Sequence, residues 1–326
     1  MESASGIHGY SLATIAEEVR RYGGFTNKLP ISQVRDYFDP SDPIHGPGDD
    51  GAIVHAEDRK IVVCGEALSP PFVEGDPHGA GIAAVLANVN DVAAMGGVPL
   101  GIVNTVVGPK DTAGEVMRGM VDASAMYDVP IVGGHTTQQE GPTSVSAFAV
   151  GHTENVLSMA NVAPGQTVLF ACFLDGVMRE DFPFFTSIDN QAGRFDRDVR
   201  VPAKVASAGA AVAAKDVSMA GALGSLAMLL EFKGLGASID LGAMPTPADT
   251  DFLKWLICFP SYAFWFTAEP DQAQNCINIF EENDLTCAAV GEVAEDSVLR
   301  ITHESDAAQL IDFETEAVTG LWSAAP

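Results

Sequence analysis

Apolar positions along this chain recur with two different periods, and the switches between them mark its elements. Leu12, Ile15, Ala16, Val19 and Tyr22 fall near helical spacing, which predicts an amphipathic helix close to the N-terminus. The run DPSDPIHGPGDDG (39–51) breaks any period with Pro, Gly and Asp and reads as a loop ending an irregular arm. From Ala52 the pattern shortens. Ala52–His55 and Ile61–Cys64 are β-like runs around a charged turn. Ile82, Val85, Leu86, Val89, Val92 and Ala93 then repeat at helical intervals over 79–97, with Gly96 and Gly97 as a stop. Strands are expected at 100–107, 129–134 and 144–151. Between the first two lies a helix whose Thr112 and Glu115 have capping-box spacing.

The second half has similar ingredients. Strands at 167–173, 236–240, 261–267 and 287–293 are interleaved with helices at 202–214, 219–233 and 270–283. Ser218 is placed as the N-cap of the second of these helices. Residues 175–200 read as a long polar loop. The fold class is α+β in two domains, 46–155 and 163–300. A helix and arm over 1–45 precede them, and a tail over 304–326 follows.

Charge narrows what such a protein can bind. Its 326 residues include 17 Lys and Arg against 44 Asp and Glu, a net charge of −27. That balance excludes most nucleic-acid binding, which needs cations on phosphates, and disfavours an anionic membrane surface. No stretch approaches the ~20 apolar residues of a membrane span, and the N-terminus lacks the pattern of a signal peptide. Five widely spaced cysteines without a CxxC read as reduced thiols, and the expected location is the cytoplasm.

Several constellations carry possible chemistry. Asp49 and Asp50 sit side by side in a Gly-rich turn, where adjacent carboxylates repel unless a cation or donors compensate. Asn88 and Asp91 are three apart on the 79–97 helix and share a face flanked by alanines, without a basic residue anywhere on that helix. Gly133, Gly134, His135, Thr136 and Thr137 follow an apolar strand and read as a turn with free N–H and hydroxyl donors. Asp216 lies in KDVSMAG (215–221), just ahead of a helix start, and Glu66 ends a strand. Each feature alone is equally well a solvated turn or a polar stripe. One count links them. Between Ile61 and Met178 the only Lys or Arg residues are Lys110 and Arg118, against eleven acids. A polyphosphate in this region would be held through divalent metal, with carboxylates completing the metal shell.

Taken in order, GDDGA, NDVAAMGGVP, GGHTT and KDVSMAG resemble the ATP-binding superfamily of aminoimidazole ribonucleotide (AIR) synthetase. That group includes thiamine-monophosphate kinase, selenophosphate synthetase and the hydrogenase maturation factor HypE. The likeness spans about residues 45–300, nearly the whole chain. PFVEGDP and FPSYAF extend it toward an AIR-synthase-like branch. The resemblance implies a homodimer whose N-terminal domains build a shared β-barrel, with ATP in a groove and Mg²⁺ bridging its phosphates to carboxylates. By motif, it implies Asp49, Asp50, Asp91 and Asp216 as metal ligands, with Asp50 and Asp91 the catalytic pair. Asn88 and Gly133–Thr137 would border the nucleotide, and Lys28 on the arm would contact phosphate. Glu66 replaces the Asp of relatives as a further candidate ligand. Met219 stands where the kinase motif has a second Asp, and no reactive cysteine precedes GDDG, which argues against selenium chemistry. The implied activity is ATP-dependent transfer of the γ-phosphoryl group to, or activation of, an oxygen of a small anionic or amide-bearing metabolite. A thiamine-monophosphate-type kinase and a nucleotide-binding maturation or scaffold protein without turnover are the alternatives. Arg179, Arg194, Arg197 and Arg200 are expected to help hold the anionic substrate.

Overall fold

The computed structural model describes residues 6–191 and 193–322. Among them, no helix is long and apolar enough to cross a membrane. The arm helix Leu12–Arg21 forms where the spacing predicts it. Ser11 caps it by accepting the Thr14 N–H at 3.1 Å, and it buries Leu12, Ile15, Ala16 and Val19.

The first sheet holds β1 (Ala52–Ala56), β2 (Arg59–Leu68), β3 (Val98–Gly108), β4 (Ile131–Gln138) and β5 (Ser144–Thr153). Their order is β1-β2-β5-β3-β4, antiparallel throughout except for the parallel β3–β4 pair. Strict alternation along β5 sends Val145, Ala147 and Ala149 into the core, beneath the helix Pro77–Ala94. A second helix, Lys110–Tyr127, packs along the first at a pair of glycines. A Cβ on Gly81 would lie 2.0 Å from the Val116 carbonyl, and one on Gly119 would lie 2.0 Å from the His78 carbonyl. Only bare backbone permits that approach. The opposite face of the sheet is uncovered in the single chain. Val54, Val103, Val132, Phe148 and Val150 are all exposed there, Phe148 at 44%. Pairing of Val103 with Phe148 puts the two on one face.

The second sheet runs Asp306–Asp312, Val298–His303, Ala237–Asp240, Thr286–Val293, Thr167–Cys172, Ala263–Ala268 and Ala213–Asp216. The helix Gly221–Glu231 supplies much of its core, with Leu223, Leu226, Leu229 and Leu230 inaccessible to solvent.

Several expectations are corrected. The stretch read as a tail from 304 carries the edge strand Asp306–Asp312, paired antiparallel to Val298–His303. Beyond it the chain is fastened by the buried Glu231 carboxylate. That group accepts the N–H groups of Val318, Thr319 and Gly320 and the Thr319 hydroxyl, the last at 2.6 Å. Gly133–Thr137 is not a turn; it forms part of β4, because parallel pairing to β3 satisfies its backbone. The Lys110–Tyr127 helix starts before Thr112, with Pro109 as N-cap, so Thr112 and Glu115 form no capping box. Ser218 does not cap its helix either; Ala220 holds that position.

The 175–200 stretch also differs from a loop. It contains short strands at Val177–Met178 and Phe184–Thr186 and a helical turn at Phe195–Asp198. Its four arginines hold the chain together instead of facing a substrate. Arg179 pairs with Asp76 and Asp181. Arg194 and Arg197 share the fully buried Asp198 and donate to the Asn283 carbonyl. Arg200 donates to the carbonyls of Tyr127 and Asp128 at the end of the Lys110–Tyr127 helix. Carbonyls at a helix C-terminus lack partners and carry partial negative charge, so guanidinium is a fitting cap.

Candidate active site

Where the two sheets meet, three motifs converge. Asp50 ends the Gly-rich loop just before β1, Asp91 sits in the last turn of the Pro77–Ala94 helix, and Asp216 closes the strand Ala213–Asp216. Each turns one carboxylate oxygen into a common space, where the three oxygens lie within 4.8 Å of one another. The side chains of Asp50 and Asp216 are only 3% and 4% exposed. The Asp216 N–H donates to Asp50 Oδ2 at 3.1 Å, which ties the loop of one domain to the strand of the other.

Such crowding demands compensation. Burial pushes the Asp50 carboxyl up to about 7, with Asp216 and Asp49 adding to the rise and Lys215 opposing it. Burial also holds Asp91 well above the usual carboxylate range, reinforced by the charges of Asp216, Glu66 and Asp50. Lys215 is the cation that faces this group. Its Nζ pairs with Asp50 and lies 3.2 Å from Asp216 Oδ1, with its side chain 6% exposed. Burial opposes its charge, yet the neighbouring carboxylates outweigh that and hold it above the ordinary lysine range. A single ammonium cannot neutralise three converging acids, so it stays charged while surplus carboxylate favours the proton.

Lys28, half-buried just before the turn Leu29–Asp36, feels the charges of Lys215, Glu66, Asp216 and Asp50, so the arm brings a second ammonium to this pocket. Close contact of the arm with KDVSMAG makes this possible. A Cβ on Gly24 would stand 1.8 Å from the Met219 carbonyl. Glu66, on β2, is exposed at the pocket edge, where desolvation and the Asp216 charge raise its carboxyl. Asp49 turns away from the trio. Its Oδ2 accepts from the Ser158 hydroxyl at 2.7 Å and from the Met159 N–H at 3.0 Å, and burial pushes it up to about 6. Asp49 thus joins the loop to the segment between the domains.

Two expected nucleotide contacts are not brought to this pocket. Asn88 is fully buried, and its amide donates to the carbonyls of Ala84 and Ala147 at 2.8 and 3.2 Å. It bonds the helix to β5, so the face it shares with Asp91 is an internal one. Gly133–Thr137 lies on β4, the far edge of the sheet, three strands from β2 and so about 14 Å across. There His135 Nε2 lies 3.1 Å from the Thr137 hydroxyl.

Lys215 is the residue that motif reading passed over. Its signal was a lysine inside the apolar run VAAKDV, where every residue of the strand Ala213–Asp216 is buried. A lysine in a buried strand requires an acidic partner.

The donor set suits a hard divalent cation. Three carboxylates converge without an imidazole or thiolate among them, as Mg²⁺ prefers. Close by, the Ser218 hydroxyl is buried without a partner among the described side chains.

Comparison with known proteins agrees with this architecture. The AIR synthase related protein N-terminal domain matches residues 48–153, and its C-terminal domain matches 191–304. Uncharacterized protein MJ0640 of Methanocaldococcus jannaschii is 31% identical over 324 residues, covering 95% of this chain and 99% of that protein. Uncharacterized protein sll0787 of Synechocystis sp. is 30% identical over 276 residues, covering 84% and 86%. Among solved structures, Thermotoga maritima PurL complexed with ADP superposes with a TM-score of 0.76 at 19% identity, over 98% of this chain and 53% of that one. AaThiL complexed with AMPPCP and TMP gives 0.61 at 19% identity, over 81% and 91%. Two domain matches in the right order, spread over most of the sequence, place the chain in the AIR synthase related protein family.

Proposed function

We propose that this protein is an ATP-dependent enzyme that uses the γ-phosphoryl group to phosphorylate or activate an oxygen of a small anionic or amide-bearing metabolite. The observation carrying this reading is the convergence of Asp50, Asp91 and Asp216 at the junction of the two domains. Their oxygens would hold Mg²⁺, which when bound neutralises charge on the phosphates. The chain's own part is positioning. Asp50 and Asp216 lock loop to strand, so that the carboxylates keep a fixed geometry. Lys28 brings a second ammonium from the arm to the same pocket, placed to meet phosphate oxygen. Phosphoryl transfer asks for little more, because its transition state is stabilised chiefly by aligned charges.

The test is to incubate the protein with ATP and Mg²⁺ against panels of phosphorylated and amide-bearing metabolites. ADP release stimulated by a member of the panel is expected. A thermal shift with MgATP but no ADP from any compound would favour a nucleotide-binding scaffold, and no shift at all would remove the nucleotide reading.

The uncovered sheet face supports a second part of the proposal, a homodimer. Val54, Val103, Val132, Phe148 and Val150 form an apolar surface of the kind that marks an interface. Pairing two such sheets face to face would bury it. Phe148→Glu is therefore expected to shift the protein from dimer to monomer in sedimentation velocity, with the far-UV spectrum unchanged. A wild type already monomeric at micromolar concentration would rule out this interface.

A further inference from the structure

We propose that Lys215 is a resident cation of the carboxylate pocket, holding a position between Asp50 and Asp216 that would otherwise accept a divalent ion. The inference rests on the metal-binding part of the functional reading above, and adds a statement about how many ions this site takes.

Five carboxylates act on this pocket: Asp49, Asp50, Glu66, Asp91 and Asp216. Facing them are two ammonium groups, Lys215 and Lys28. Lys28 comes from the half-buried arm and stays near solvent, whereas Lys215 comes from a strand with no exposed residue. Lys215 is built into the sheet. Its backbone pairs with Trp265 and its neighbour Asp216 with Phe264, so the register fixes where the side chain starts. From there Nζ reaches Asp50 and Asp216 together.

Those are two of the three residues whose oxygens converge. An ammonium and a divalent ion repel each other and cannot occupy the same position between two oxygens, so an ion held by the trio must take the lone pairs that Nζ leaves free. A carboxylate trio without such a lysine would be open to metal on every side. Here one side is closed by a group attached to the chain. Leaving it empty would strand buried carboxylates with only the Lys28 ammonium of the arm facing them, so the lysine also helps keep the metal-free protein folded. Met at this position has similar length but no charge. Arg keeps the charge.

The experiment counts Mn²⁺ bound per chain, by equilibrium dialysis and electron paramagnetic resonance, on the full-length protein without nucleotide. Leaving nucleotide out separates this proposal from the catalytic reading. Lys215→Met is expected to bind one Mn²⁺ more per chain than wild type, and Lys215→Arg to keep the wild-type number. Without divalent ion, Lys215→Met should melt roughly 5–10 °C below wild type, and saturating Mn²⁺ should recover most of that loss. Should Lys215→Met bind the same number as wild type while wild type does bind, the resident-cation role is overturned and the metal site stands. Should neither bind any Mn²⁺, both fall. A Lys215→Met protein that unfolds and is not rescued by Mn²⁺ also overturns the proposal, since a metal would then be no substitute for the ammonium.

Discussion

Asp91→Asn is expected to abolish the thermal shift that MgATP gives the wild type and to lower ATP turnover by at least roughly 100-fold. The substitution is close to isosteric and removes one charge from the buried trio. Burial holds the Asp91 carboxyl well above the usual carboxylate range, and the charges of Asp216, Glu66 and Asp50 raise it further. Without ligand, the neutral amide should therefore leave the melting temperature unchanged or higher. That separates loss of binding from loss of fold. Differential scanning fluorimetry with and without MgATP, alongside an ADP-release assay, reads both quantities. A variant that keeps the full shift and turnover would show that Asp91 is a structural acid and that the trio is not the metal site.

The second large effect concerns pH. Asp50 and Asp49 are pushed up to about 7 and about 6, both from 3.8 and both chiefly by burial. Between pH 4 and 7 the folded protein then holds protons that the unfolded chain has released. Stability is present below the unfolded value and is lost as pH rises through the folded values. Metal-free protein should melt several degrees higher at pH 5 than at pH 8, and Mg²⁺ at pH 8 should recover much of the difference. Asp50→Asn is the control that isolates the pocket. Its melting temperature should vary less with pH than that of wild type. An equal slope in the two proteins would assign the effect to the general surface charge.

Much of this site was legible in sequence because the chemistry leaves short, ordered marks. Asp50, Asp91 and Asp216 stand in three short motifs, and the fold brings their carboxylates within 4.8 Å of one another. The Pro77–Ala94 helix follows from its period alone. What failed has a common cause, namely partners that only tertiary structure supplies. Asn88 shares a helical face with Asp91, yet that face lies against β5, which claims its amide. The glycines of Gly133–Thr137 suggested a turn, but a parallel neighbour made them a strand. The arginines between 179 and 200 suggested anion binding, while distant helix ends and Asp198 already occupied them. Lys215 was visible as an anomaly, a charge in an apolar strand, and only the fold names its partners.

Two of the three tryptophans, Trp255 and Trp265, are sealed in the second core. The third, Trp322, is half-buried; its indole donates to the Pro40 carbonyl at 2.8 Å, and its ring fills the space above Gly48, where a Cβ would come within 2.3 Å. Gly48 immediately precedes Asp49 and Asp50. The molecule thus carries an intrinsic fluorophore against the loop that bears its candidate ligands, alongside two others shielded from change. Emission from Trp322 offers a label-free optical readout of that loop, and metal or nucleotide titrations can be followed on the unmodified chain.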